Sequence, residues 1–167
     1  MLRKVTLLAA MVAVMTMVVA GAAWAAYVPG TNGPDDLVGT NSNDTIYGFG
    51  GADTIDALAG DDTAFGGSGA DTIFGRAGLD TLYGGNGNDT LYGQADNDTL
   101  YGGAGDDILR GGGGNDKLHA DDGVGGNDAV YCGSGTDEVW VDVGDYVDAT
   151  CDPATGDIIH VVPLPLP

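Results

Sequence analysis

Apolar residues recur at every ninth position along most of this chain, with glycine and polar residues between them. From residue 30 to residue 119 the sequence divides into ten uninterrupted nonapeptides, counted from the glycine that opens most of them. The eighth position of each unit is apolar, from Leu37 in the first to Leu118 in the last. A fixed internal period of this kind indicates a repeat architecture in which each repeat is one structural unit.

Each unit predicts a short strand followed by a tight turn. Thr occupies position seven in seven consecutive units, Thr45 to Thr99, and with the apolar and aromatic residues that follow it favours a strand. Glycines at positions one, two and four favour the turn. Strands that alternate between two faces make one coil of eighteen residues. The predicted fold is all-β: a right-handed parallel β-roll, or β-solenoid, of nine-residue turns with two turns per coil and position eight facing a thin interior.

Position six is Asp in all ten units, which indicates a metal. Residues eighteen apart stack at about 4.8 Å, so these carboxylates line the two edges of the roll and repel one another. Calcium takes six to eight oxygens at about 2.3–2.6 Å and fits between such turns better than magnesium. Five Asp on each edge leave four gaps, so we expect about eight sites. The Asp residues are, on one edge, Asp35, Asp53, Asp71, Asp89 and Asp107, and on the other Asp44, Asp62, Asp80, Asp98 and Asp116.

The predicted roll has little apolar material with which to fold. Each eighteen-residue coil buries two position-eight side chains, and this is too little to offset the ordering of so many glycine-rich residues. Metal bound only by the folded state would supply the difference. We therefore expect folding coupled to calcium binding, and a chain that is largely unfolded without calcium.

Several units resemble the G-G-x-G-x-D-x-U-x repeat of the RTX, or haemolysin-type, calcium-binding family. Residues 66–74, 84–92, 102–110 and 111–119 match at every defined position. The resemblance implies a parallel β-roll in which Asp at position six and turn carbonyls coordinate calcium. The turn carbonyls it indicates are those of Gly67, Gly69, Gly85, Gly87, Gly103, Gly105, Gly112 and Gly114.

Other units depart from the motif. Unit 57–65 has Ala57, Leu58 and Ala59 in its turn and Ala64 inside, so its site and packing are expected to be the weakest. Ser42 and Asp96 replace the glycine at position four in units 39–47 and 93–101. Arg76 replaces the glycine at position two in unit 75–83. Calcium occupancy of these turns stays open.

The N-terminal residues predict a secretory signal peptide over 1–25. Arg3 and Lys4 precede the apolar run 5–19, and Ala23-Trp24-Ala25 is a typical cleavage site. The alternative, an uncleaved membrane anchor, requires a longer apolar run. We therefore expect a secreted, extracellular protein.

Acidic residues outnumber basic ones by 25 to 5, a formal net charge of −20. Loss of Arg3 and Lys4 with the signal peptide would change it to −22. This charge repels nucleic acid and anionic membranes, which we exclude as partners. A disordered acidic chain would have no reason to keep its Asp residues in register. We expect calcium ions as the partner and a monomeric chain, with a carbohydrate or protein partner left open.

The nine-residue period is interrupted after residue 119. Asp128 follows Asp116 by twelve residues, which predicts a three-residue insertion within 120–126 followed by irregular repeats. Asp128 and Asp137 are further candidate calcium ligands. Cys132 and Cys151 are nineteen residues apart, so we expect a disulfide between adjacent turns. The predicted domains are the roll at 26–119, a disulfide-clipped cap at 120–152 and an extended tail at 153–167.

Two other classes of function remain as alternatives. An enzyme is disfavoured because the mature chain has few candidate catalytic groups. Its histidines are His119 and His160 alone, and calcium binding already explains the spacing of the carboxylates. An adhesion or surface-binding module would use the aromatic residues at position nine to contact carbohydrate or a partner. The outward Thr ladder is the alternative surface, for ice, and is the less favoured of the two. Such aromatic residues more often stabilise strands by packing on one another. Those residues are Tyr47, Phe65, Tyr83 and Tyr101 on one face and Phe74 and Tyr92 on the other.

Overall fold

The computed structural model describes residues 25–123 and 127–163 and shows two parallel β-sheets around one core. The predicted signal peptide, except for Ala25, lies outside these residues. Within them no helix is long and apolar enough to cross a membrane. The first sheet has eight strands: β1 (Tyr27–Pro29), β3 (Thr45–Gly50), β5 (Thr63–Ser68), β7 (Thr81–Asn86), β9 (Thr99–Ala104), β11 (Lys117–Ala120), β13 (Glu138–Asp142) and β15 (Ile158–Val162). The second has seven: β2 (Asp36–Val38), β4 (Thr54–Asp56), β6 (Thr72–Ala77), β8 (Thr90–Ala95), β10 (Ile108–Gly113), β12 (Ala129–Ser134) and β14 (Tyr146–Val147).

The pairing register confirms the coil of two nonapeptides. Each strand pairs with the strand two places further along the chain, and partners such as Thr45 and Thr63 are eighteen residues apart. Odd and even strands therefore lie in different sheets, as the alternation of units predicts. The strands stack as a β-solenoid of about seven coils, which is consistent with a parallel β-roll.

The insertion after residue 119 is also confirmed, and the strands beyond it rejoin both sheets. Leu109 pairs with Val130 and Leu118 with Val139, twenty-one residues apart in each case. The prediction of an extended tail from residue 153 needs correction: Ile158–Val162 is strand β15, which pairs along β13. Position eight recurs here as Ile159, which packs against the core.

The core consists mainly of the position-eight side chains of the two sheets. Those from Ile46 to Val139 are fully buried, whereas Leu37, in the first coil, is half-buried because only one neighbouring coil covers it. The buried set also includes residues at position one, where Ala57 and Cys132 replace glycine. The fully buried position-eight side chains are Ile46, Ile55, Ala64, Ile73, Leu82, Leu91, Leu100, Leu109, Leu118, Val130 and Val139.

Outside the first sheet, the rings at position nine form a stacked ladder. Phe65 and Tyr83 have ring centroids 4.8 Å apart and planes 4° from parallel, and Trp140 stacks between His119 at 4.0 Å and His160 at 5.0 Å. Each ring face is thus covered by the next ring, as expected for cross-strand packing. A sugar would need a free ring face, so the packing of these rings gives no support to a sugar-binding role for them.

Candidate metal-binding edges

The position-six carboxylates lie inside the roll and not on its surface. Every one from Asp53 to Asp116 has at most 2% of its surface exposed, and Asp128 and Asp137 have 3% and 1%. Alternation places this side chain on the inward face, as it does position eight. Burying an ionised group is costly unless it is paired with charge or hydrogen bonds. Each carboxylate therefore needs a partner.

The chain itself provides a hydrogen-bond donor for one of the two oxygens of each carboxylate. One carboxylate oxygen, Oδ1, accepts a hydrogen bond from the backbone N–H of the Asp one coil earlier: 2.8 Å from Asp71 to Asp89, and 2.9 Å from Asp80 to Asp98. The same bond recurs up both edges at 2.6–2.9 Å and continues across the insertion to Asp128 and Asp137. The two predicted rows of Asp are thus two hydrogen-bonded ladders.

The other oxygen, Oδ2, has no hydrogen-bond partner within the described residues in any unit from 48 to 119. A buried anionic oxygen without a donor is unfavourable by itself and indicates a cation. These oxygens belong to Asp53, Asp62, Asp71, Asp80, Asp89, Asp98, Asp107 and Asp116.

The metal-free carboxylates accordingly hold their protons more tightly than free Asp does. Burial, opposed by the ladder hydrogen bond and assisted by repulsion from neighbouring carboxylates, raises the pKa of Asp89 to about 7 and that of Asp98 to about 8. The pKa of Asp62 rises to about 6 for the same reasons. Without a cation, the folded roll disfavours the charged form of these groups.

The glycine at position one leaves the space in which oxygens converge. A Cβ built on Gly84 would lie closer than 3.0 Å to both Asp89 Oδ2 and the backbone oxygen of Gly102, one coil later. The same pair of oxygens meets at Gly48, Gly66 and Gly93. Two acceptors face a common point there, and neither can donate. Such a cradle suits a hard cation that binds oxygen.

The glycines at positions two and four bring further carbonyls to the edges. Gly67 and Gly69 have φ of 111° and 134°, a region that favours glycine. A Cβ on Gly85 or Gly87 would collide with the backbone oxygen of Gly67 or Gly69 in the preceding coil. The turn carbonyls predicted as calcium ligands therefore lie against glycines one coil later. The remaining predicted turn glycines share the left-handed φ: Gly103, Gly105, Gly112 and Gly114.

The first two units are built differently. Asp35 Oδ2 accepts hydrogen bonds from the backbone N–H and the hydroxyl of Thr31, at 2.6 and 2.9 Å. Thr40 does the same for Asp44, at 2.5 and 3.0 Å. Here the chain itself satisfies the oxygen that is without a partner in the following eight units. This difference was not predicted, although Thr at position two, where the motif has Gly, was a visible signal.

Two further residues extend the ladders and were missed. Asp157 Oδ1 accepts the N–H of Asp137 at 2.9 Å, and Asp145 Oδ1 that of Asp128 at 3.3 Å. Both are followed by an apolar residue two positions later, Ile159 and Val147, which is the D-x-U part of the repeat. Irregular spacing concealed this signal.

The cap holds the two cysteines together. The sulfur atoms of Cys132 and Cys151 are 2.06 Å apart and their Cα atoms 5.0 Å apart. Both residues are buried, on β12 and just after β14. The pairing predicted from the sequence is therefore compatible with the fold.

Comparison with known proteins supports the metal. A family model described as the RTX calcium-binding nonapeptide repeat matches in four copies, at residues 29–64, 56–91, 65–100 and 92–125. A search among curated proteins finds no match. The four copies together span residues 29–125, more than half of the chain. The chain belongs to the RTX calcium-binding nonapeptide repeat family.

Proposed function

We propose that this chain is a secreted calcium-binding protein whose β-roll folds as calcium binds to its two edges. The observation that carries the proposal is the row of eight buried Oδ2 atoms without a hydrogen-bond donor in units 48–119. These oxygens lie four on each edge of the roll, and one ion at each would give about the eight sites that were expected from the gaps between all ten Asp residues. Membership of a calcium-binding repeat family identifies the metal class independently.

The ligands in this proposal are the eight Asp residues of units 48–119 together with turn carbonyls. Calcium would neutralise the buried carboxylates, while the ladder hydrogen bonds hold each carboxylate in one orientation. Asp128 is a further candidate because its Oδ1 accepts the ladder hydrogen bond and burial raises its pKa to about 7. Asp35 and Asp44 are weaker candidates because the Thr side chains already satisfy their Oδ2 atoms.

Coupled folding follows from the same contacts. Without a cation the roll must bury two rows of carboxylates, while its apolar core consists mainly of the position-eight side chains. The unfolded chain leaves those carboxylates in water, so metal-free conditions favour unfolding. Calcium that binds only the folded chain reverses the balance, and its binding free energy becomes folding free energy.

Secretion fits this dependence on calcium. Extracellular calcium-binding modules have dissociation constants of about 10⁻⁴–10⁻³ M, and we place the sites in that range. Disulfides also persist mainly in oxidising compartments. We assign no catalytic activity: His119 and His160 both stack on Trp140 in the ring ladder, and the Asp residues serve the metal.

Equilibrium dialysis of residues 26–167 against radioactive calcium tests the proposal. We expect about eight ions per chain, half-saturation at about 10⁻⁴–10⁻³ M, and little displacement by an equal concentration of magnesium. A matched chain with Asp→Asn at the eight Oδ2 positions should bind almost none. Absence of saturable binding up to about 10 mM, well above that range, or equal displacement by magnesium would overturn it.

A further inference from the structure

A second group of buried oxygens lies at the C-terminal end, outside the family match that ends at residue 125. Asp137 and Asp157 have 1% and 6% of their surface exposed, and the Oδ2 atom of each has no hydrogen-bond partner in the described ranges. Neither forms an ion pair with any described residue. Two carboxylates are therefore buried next to each other without a compensating charge.

The cysteine pair forms one wall of this group. Cys132 occupies position one of its unit, where most units have the glycine beside the carboxylate. Its sulfur and one carboxylate oxygen each of Asp137 and Asp157 lie within 4.8 Å of one another. The sulfur is bonded to Cys151 and is not a donor for a hard cation, so the carboxylates are the ligands.

We propose that Asp137 and Asp157 form a further calcium site in the cap, and that this site is thermodynamically linked to the Cys132–Cys151 disulfide. The site rests on the proposed function for its metal class but uses a carboxylate, Asp157, that lies outside the residues matched by the family model. Both the cation and the disulfide require β12 and β13 to lie against the segment that runs from Cys151 to Asp157. Each therefore favours the other, and by reciprocity the two effects are equal.

Oxidation of the cysteines in a glutathione buffer measures the linkage. The two thiols together lose two electrons and two protons to one glutathione disulfide, which becomes two glutathione thiols. Using the full chain, the oxidised fraction is read by alkylation and mass spectrometry, with calcium or with chelator. We expect calcium to raise the oxidation equilibrium constant about tenfold or more, a typical coupling between two sites.

The variant Asp157→Asn separates the effect of calcium bound in the cap from the effect of calcium bound along the rest of the roll. Asn keeps the Oδ1 acceptor for Asp137 N–H but removes the charge, so most of the calcium effect on oxidation should disappear. Asp152→Asn is the matched control, because it removes an exposed charge next to Cys151 that is not in the group. A full calcium effect in Asp157→Asn would overturn the linkage, whereas loss of calcium-induced circular dichroism in the wild type would count against the proposed function.

A second readout keeps the proposal testable if Asp157→Asn folds poorly. Terbium, a luminescent stand-in for calcium, is titrated into residues 26–167, which lack Trp24, so that Trp140 on β13 is the remaining tryptophan. Selective tryptophan excitation then reports the cap. Reduction of the disulfide, or Cys132→Ser with Cys151→Ser, should weaken terbium binding there about tenfold, by the same reciprocity. Equal affinity in oxidised and disulfide-free chains would overturn the linkage.

Discussion

The first two units and the eight that follow share the position-six Asp, but they differ in whether its Oδ2 atom has a hydrogen-bond donor. In units 30–47 the residue at position two is Thr, and its N–H and hydroxyl bind the carboxylate. In units 48–119 no described group donates to that oxygen. The second oxygen of the same carboxylate thus accepts hydrogen bonds from the chain in the first two units and has no donor in the next eight.

The backbone at position two explains the difference. From unit 48 to unit 119 this residue has left-handed φ even where it is not glycine, as in Phe49 at 70° and Arg76 at 85°. Thr31 and Thr40 do not share that conformation, and their N–H groups reach the carboxylate. A left-handed residue costs roughly 1–2 kcal/mol when it is not glycine. The central turns keep this conformation despite the cost, which we attribute to the metal.

The largest expected effect comes from filling the cradle. Gly84→Ala would place a methyl group against Asp89 Oδ2 and the backbone of Gly102. We expect the calcium concentration at the folding midpoint to rise more than tenfold, a penalty above about 1.4 kcal/mol, or folding to be lost. Gly33→Ala is the control, because its Cβ would meet only the Thr31 hydroxyl at 3.9 Å. Similar midpoints for the two variants in a circular dichroism titration would contradict the cradle.

A smaller effect is expected from removing one ligand charge. Asp89→Asn keeps the ladder acceptor and should raise the calcium midpoint about fivefold, roughly 1 kcal/mol. In chelator its effect should reverse sign, because the variant no longer buries a carboxylate whose pKa is raised to about 7. Asp35→Asn, in a unit satisfied by Thr31, should change the midpoint less than twofold. If Asp35→Asn matched Asp89→Asn in calcium, the two regions would not differ as described.

Proton binding provides a third test on the metal-free roll. Because the folded pKa values of Asp62, Asp89 and Asp98 are raised to about 6, 7 and 8, the folded chain binds more protons than the unfolded chain between about pH 4 and pH 8. Metal-free stability should therefore fall as pH rises through that window. Far-UV circular dichroism of calcium-stripped protein should show more β-structure at pH 5 than at pH 8. The opposite trend would mean that the carboxylates are not buried without calcium.

The smallest predicted effect concerns the left-handed turns. Gln94 is exposed and has φ of 84°, so Gln94→Gly should relieve strain and stabilise the calcium-loaded roll by about 0.5–1 kcal/mol after the entropy cost of glycine. Gly85→Ala, at the same position of the unit before it, should destabilise the roll. Chemical denaturation in saturating calcium measures both. Destabilisation by Gln94→Gly would show that the glutamine side chain has a role not seen in its contacts.

The period of the sequence was enough to predict the fold and the two rows of Asp. Position eight faces the core from Ile46 to Val139, and the register resumes after the insertion, because a nine-residue unit leaves little choice of pairing. Spacing alone could not predict that, in units 48–119, Oδ1 of each carboxylate accepts a hydrogen bond from the chain while Oδ2 has no donor. This arrangement depends on which N–H reaches Oδ1 and on the backbone at position two, as the contrast between Thr31 and Phe49 shows.

The cap was predicted less well because its repeats are irregular. The predicted tail at 153–167 includes residues 158–162, although Asp157 and Ile159 repeat the spacing of Asp137 and Val139. Twenty residues separate the two Asp residues where eighteen would be regular. The two extra residues are accommodated in a loop, so a search for a fixed nine- or eighteen-residue period does not detect this repeat.

The central claim is that calcium and the fold of units 48–119 form together, and a calcium titration of residues 26–167 by far-UV circular dichroism tests it most directly. We predict an unfolded spectrum in chelator and a cooperative change to β-structure at about 10⁻⁴–10⁻³ M calcium. Magnesium at the same concentrations should not produce that change. A β spectrum that is the same in chelator and in calcium would contradict the account.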